Sequence, residues 1–277
     1  MSKKTLLVGF ALVLAAGCGI NVDESDEEVL RRLMVSSGYS QGTGVKGSAD
    51  TSSKALLPAD TVTPLGWIRE QTYKNNPDVS ISIVGDSAFV SLEGTQGGNF
   101  HLVAYDPDSA KVVDFVKSYE DGYYIAAIFK RIGDDQVDNG WVMTDVSNIN
   151  MESSQREPRI KLDSLLLEGG NPDSIMITDS KALYDAQDPR WCSAGDSIRI
   201  TAFTSDTNAV MAAYGFTQDT GKGVFLSQSS PGVWTGAVQV IGSGMFYVAV
   251  DVLPWEVVNT VSEPYAAQLW IAQFQMR

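Results

Sequence analysis

The sequence predicts an α+β unit followed by an all-β sandwich, on three observations. A helix-capping pattern stands at Ser25–Glu28, the apolar period becomes two from Val79 onward, and a polar stretch at Met151–Pro158 precedes many short alternating runs. A helix before antiparallel strands is the α+β order, whereas short strands broken by Gly, Pro and Asp turns read as a sandwich. A chain of 277 residues is long enough for two ordinary domains.

The first element follows an acidic run, Asp23-Glu24-Ser25-Asp26-Glu27-Glu28, which leads into Val29-Leu30-Arg31-Arg32-Leu33-Met34-Val35. Ser25 with Glu28 three residues on fits a capping box, and early carboxylates suit the positive end of a helix over Asp26–Ser37. Gly38–Ser53 holds four glycines, four serines and two threonines, and reads as a loop or tether. Val79, Ile81 and Ile83 then alternate with Ser80 and Ser82, Gly85-Asp86 signals a hairpin, and Ser87–Glu93 returns. Further strands are predicted at Asn99–Tyr105, Lys111–Tyr119, Tyr123–Ile132 and Trp141–Ser147. Asp106-Pro107-Asp108, Glu120-Asp121-Gly122 and the acidic loop Gly133–Gly140 punctuate them. Beyond the linker, runs near Arg159–Leu167, Ser174–Thr178, Ser197–Phe203, Ala209–Tyr214, Gly223–Ser227, Val233–Val240, Gly244–Asp251 and Gln268–Phe274 supply the sandwich.

Met1–Cys18, MSKKTLLVGFALVLAAGC, joins Lys3 and Lys4 to an apolar run from Thr5 to Ala16, the form of a secretory signal. That run falls short of the roughly 20 residues a permanent span needs. Its end, Ala15-Ala16-Gly17-Cys18, resembles the lipobox of bacterial lipoproteins. The resemblance implies cleavage between Gly17 and Cys18, acylation of Cys18 by lipid such as palmitate, and a bacterial cell-envelope address. Gly19 replaces the Asp that resembles an inner-membrane retention signal, which implies the outer membrane rather than the inner. A helix, then Trp67-Ile68-Arg69-Glu70, a hairpin at Gly85-Asp86-Ser87-Ala88 and strands ending in Gly140-Trp141 resemble a cystatin-type α+β cone. They are similar to the nuclear-transport-factor-two-like domains of many bacterial lipoproteins, which implies a sheet curled around a pocket over Asp26–Asn150. Gly195–Ile200, Pro231–Gly236 and Gly244–Asp251 resemble strand signatures of bacterial immunoglobulin-like domains. The expected organisation is a signal peptide at 1–17, a lipidated N-terminus with helix and tether at 18–54, and an α+β cone at 55–150. A linker at 151–158 and an immunoglobulin-like sandwich at 159–277 complete it.

Charge and chemistry bound the function. The 20 Lys and Arg face 34 Asp and Glu, a net of −14, and losing Lys3 and Lys4 makes the balance more acidic still. That disfavours nucleic acid and flat association with an anionic bilayer, leaving lipid on Cys18 as the membrane anchor. His101, the one histidine, excludes paired-histidine metal motifs. Cys192 reads as a buried small hydrophobe or, left over from lipidation, as a reactive thiol. Gly133–Gly140 carries oxygen ligands but fails the calcium-hand spacing, with Val137 and Val146 at ligand positions, and reads as a solvated hairpin tip. Gly94–Gly98 lacks the helix and the Lys-Ser/Thr ending of a phosphate loop. No catalytic set, metal site or cofactor is expected. Pocket candidates in the cone are Trp67, Tyr105, Tyr124, Asp114 and Asp145, and Trp234, Trp255 and Trp270 could stack on sugars or fill the sandwich core. The expected function is a lipid-anchored binding or scaffolding module with an envelope protein or glycan as partner. A small-ligand carrier or enzyme using the cone pocket, and a carbohydrate-binding surface module, are the alternatives.

Overall fold

The computed structural model describes residues 24–43, 48–50, 62–106, 109–135 and 137–277; Gly17 and Cys18 lie outside the described residues. Helix α1 (Asp26–Ser36) starts at its capping box, with the Ser25 hydroxyl accepting from the Glu28 N–H at 3.3 Å. The Glu28 carboxylate accepts in return from the Ser25 N–H at 2.9 Å. Val29, Leu30 and Met34 form the buried face, while Asp26 accepts from Trp141 Nε1 at 3.0 Å and from Arg131, tying helix to sheet. Gly38–Thr43, at the start of the expected tether, is a packed 3₁₀ helix: the Tyr247 hydroxyl donates to the Gly38 carbonyl, and a Cβ on Gly42 would overlap the Tyr247 ring.

The strands of the first half are β1 (Ser48–Asp50), β2 (Thr63–Lys74), β3 (Asp78–Val84), β4 (Ser87–Asp106), β5 (Lys111–Arg131), β6 (Trp141–Ser147) and β7 (Ile149–Ser153). Next come β8 (Ser164–Glu168), β9 (Ser174–Ile177), β10 (Leu183–Asp185), β11 (Trp191–Cys192), β12 (Ser197–Phe203) and β13 (Ala209–Phe216). Then follow β14 (Gly221–Phe225), β15 (Ser227–Ser230), β16 (Val233–Gln239), β17 (Met245–Pro254), the short helix α2 (Trp255–Asn259) and β18 (Gln268–Met276).

The protein is mostly β, 59% strand and 10% helical, which overturns the expected α+β cone followed by an immunoglobulin-like sandwich. One 13-stranded sheet takes strands from both halves and curls until β4 and β5 meet. Its ring runs β4-β5-β7-β18-β17-β13-β14-β1-β2 and back to β4. The pairing of β1 with β14 is parallel, as an odd-numbered ring of otherwise antiparallel neighbours requires. Met151–Ser153, at the head of the expected linker, belongs to β7, which bonds β5 on one side and β18 on the other.

The difference begins in two strands of 20 and 21 residues, β4 and β5, each expected as two shorter ones. Gly94–Gly98 makes no turn there; it makes room. A Cβ on Gly97 would come within 2.5 Å of the Tyr73 hydroxyl and the Tyr119 carbonyl, so glycine lets both lie across the strand. Glu120-Asp121-Gly122 likewise continues the pleat, with Asp121 opposite Gln96 and pointing inward. A turn composition thus carries a buried side chain.

A second sheet, β15-β16-β12-β8-β9, packs on the outer face of β13, β17 and β18 and gives the C-terminal half its sandwich-like character. Those three strands are covered on both faces, by the ring's interior and by this second sheet, so they read as near-continuous apolar runs. In β17, Tyr247, Ala249 and Leu253 face the ring's interior, while Phe246, Val248, Val250 and Val252 face the second sheet. After β17, α2 and the segment to Tyr265 lie over the end of the ring where β2 begins. There the Lys117 ammonium donates to the carbonyls of Val257, Thr260 and Glu263 at 2.6, 2.8 and 2.8 Å. It satisfies one carbonyl of the short helix and two of the segment that follows it, and burial pushes its pKa down to about 8.

Candidate functional site

The residues expected to share a pocket are not brought together. Trp67 is fully buried inside the ring, whereas Tyr105 is exposed at the end of β4. Asp114 bonds His101 Nδ1 at 2.8 Å on the outer face, and the other ring nitrogen sits 3.3 Å from Glu70; the Asp114 bond, with Glu70 behind it, raises the His101 pKa. Asp145, on β6, accepts from the Thr144 hydroxyl at 2.7 Å. Tyr124 lines a groove, described below. Cys192 is buried and unpaired, and burial pushes its thiol up to about 12, far from a thiolate nucleophile at neutral pH. Trp234 and Trp270 are buried in the second core and Trp255 is half-buried, so these three tryptophans make no sugar platform facing solvent.

Two assemblies stand out instead. The first fills the ring. Arg69, inward on β2 beside Trp67, donates from Nη1 and Nη2 to Asp251 of β17 at 2.6 and 2.9 Å and from Nε to the Tyr265 hydroxyl at 2.9 Å. Tyr265 donates to Asp121 Oδ2 at 3.1 Å, and Trp67 Nε1 donates to Asp251 at 3.2 Å. The Phe100 and Tyr265 rings flank the guanidinium at 5.7 and 5.3 Å. Side-chain exposure is 2% for Arg69 and 0% for both carboxylates. Burial works against the Arg69 charge, but Asp251 outweighs it and holds the guanidinium well above its ordinary value. Asp121, 3.6 Å from Arg69 Nε, is pushed by burial up to about 7, against the pull of Arg69 and of the Tyr265 bond. Its Oδ1 has no hydrogen-bond partner among the described residues. One guanidinium cannot neutralise two carboxylates, and below about pH 7 a proton taken up by Asp121 completes the balance. The network braces β2, β5, β17 and the Tyr265 segment against one another and presents no solvent-accessible reactive atom.

The second assembly is a groove of about 470 Å³ on the outer face of β3, β4, β5 and β7. Asp78 and Glu93, directly opposite each other across β3 and β4, stand at one side, and Glu152 and Asn150 at the other. Its floor is Gly122, where an added Cβ would meet nothing nearer than 3.9 Å. The Tyr124 ring forms a wall, with the Lys181 ammonium 4.9 Å from its centre. Glu152 accepts from Asn150 at 3.2 Å and from Gln268 at 2.8 Å. Among the described residues no cluster of His, Cys, Asp and Glu is arranged to hold a metal ion.

Arg69, Asp121, Asp251 and Tyr265 escaped the sequence reading. Asp251 carried a signal: a carboxylate inside Phe246–Leu253 needs a buried cation once both faces of the strand are covered. Arg69 shares the inward parity of Trp67, which points the same way.

The chain matches no family model and no curated protein. Among solved structures it is similar to a chain of extended synaptotagmin 2 that comprises an SMP domain and a tandem pair of C2 domains, at 7% identity and a TM-score of 0.15. The alignment covers 88% of this chain and 94% of that one. So low a score carries no argument about fold or function.

Proposed function

We propose that the protein is a lipid-anchored component of the bacterial cell envelope, held through acylated Cys18 and acting as a non-catalytic binding or scaffolding module. The observation that carries this reading is the leader, in which Lys3 and Lys4, an apolar run and Ala15-Ala16-Gly17 lead directly to Cys18. The ring's interior adds support, since its buried charges are spent on bracing strands and no reactive atom among them reaches solvent. Two or more acyl chains make a firm anchor, at about 0.8 kcal/mol per buried methylene. Gly19 favours the outer membrane. The test is Cys18→Ala beside the native chain, with labelled palmitate and a density gradient of the envelope. Label and outer-membrane recovery for the native chain alone are expected. Firm membrane association without label, or label in the variant, would overturn the anchor, and recovery with inner-membrane markers would overturn the sorting argument.

A further inference from the structure

We propose that the outer groove binds a primary ammonium group, and that Lys181 occupies its place in the free protein. The proposal gives the binding-module reading a ligand class and rests on that reading only for its biological setting. Three features of the groove lead to an ammonium. Asp78 and Glu93 are direct cross-strand partners, an arrangement in which like charges repel, and neither has an ion pair with a cation among the described residues. Arg31, which lines the adjoining hollow with both of them, makes none among those residues either. A bound cation would convert that repulsion into attraction.

The second feature is Tyr124. Its ring already holds an ammonium, that of Lys181, 4.9 Å from its centre, in a groove that also contains Glu93 and Glu152. Lys181 makes no ion pair with a carboxylate among the described residues, so its charge rests on the aromatic face. The third is access. Gly122 leaves the floor open, with nothing nearer than 3.9 Å to an added Cβ. An ammonium brings three donors and no acceptor, which suits a surround of carboxylates. The same chemistry is carried by a free polyamine and by a lysine side chain of a partner.

Calorimetry on the full chain in detergent tests this, with spermidine and a lysine-containing peptide as probes and the Nε-acetylated peptide as comparison. Saturable binding of spermidine or the lysine peptide is expected, and none of the acetylated form. Tighter binding of the peptide assigns the source to a partner protein, and tighter binding of spermidine to a free polyamine. Asp78→Asn with Glu93→Gln should weaken binding by about tenfold, while Asp206→Asn with Asp219→Asn, outside the groove, should not. Lys181→Met should tighten it by about two- to fivefold, because the ring is vacated. Glu93→Gln alone should raise the melting temperature, reporting relief of repulsion independently of any ligand. Absent saturable binding, equal losses in groove and distal variants, or weaker binding in Lys181→Met would each overturn the proposal. None of these readouts depends on where Cys18 anchors the chain.

Discussion

Asp121→Asn should abolish a pH dependence of stability that the native chain owes to one buried carboxylate. Asp121 has an ordinary value of 3.8 and is pushed by burial up to about 7 in the folded protein. A raised folded value means the native state holds its proton more tightly than the unfolded chain. Its contribution is therefore complete below pH ~4 and is lost as pH rises through about 7. At about 1.4 kcal/mol per unit, the full contribution is about 4 kcal/mol, of which about 2 kcal/mol disappears between pH 5.5 and 8.5. Carboxylates with lowered values, such as Asp26 and Glu120, finish titrating below this window. His101, with its raised value, contributes in the same direction as Asp121. The difference between native protein and variant isolates Asp121, and asparagine keeps an acceptor for the Tyr265 hydroxyl. Thermal melts at pH 5.5, 7 and 8.5 should show the native midpoint falling by about 4–8 °C more than that of the variant. Parallel profiles for the two proteins would refute the excess-carboxylate account.

Arg69→Met should cost about 3–5 kcal/mol in urea unfolding, because Asp251 is left buried without its cation, and Asp251→Leu in the same chain should recover much of that loss. A loss under about 1 kcal/mol for the single change would show that the pair is not desolvated as described. The native chain should unfold in one transition seen alike by Trp fluorescence and far-ultraviolet circular dichroism, since β7 pairs with β18 and β1 with β14 across the two halves. Two separated transitions would contradict a ring closed by both.

Local signals were legible and their combination was not. Ser25 with Glu28 located α1 to within a residue, and Gly85-Asp86 located the β3–β4 hairpin, because each acts through neighbours three residues apart or fewer. Gly94–Gly98 and Glu120–Gly122 misled, because glycine serves a turn and a close crossing equally and only the partner strand decides which. Sharing β13, β17 and β18 between two cores is a long-range fact, legible only as apolar runs without alternation. Of the site residues, Tyr124 lines a groove on the outer face and not the enclosed pocket that the cone resemblance implied. Trp67 was read with it, yet the pleat sends Trp67 inward to Asp251.

The ring's order of pairing has a consequence for how the chain is made. β1, early in the order, bonds β14 and lies in the wall beside β2, while β18, the last of the described strands, bonds β7 and β17. No earlier portion of the chain can complete the wall, so a growing chain carries unclosed edges until β18 emerges. Contacts so distant in sequence form slowly. For a chain exported as proposed above, that slowness would keep the polypeptide threadable and defer closure to the far side of the membrane, where β18 arrives after every other strand of the wall.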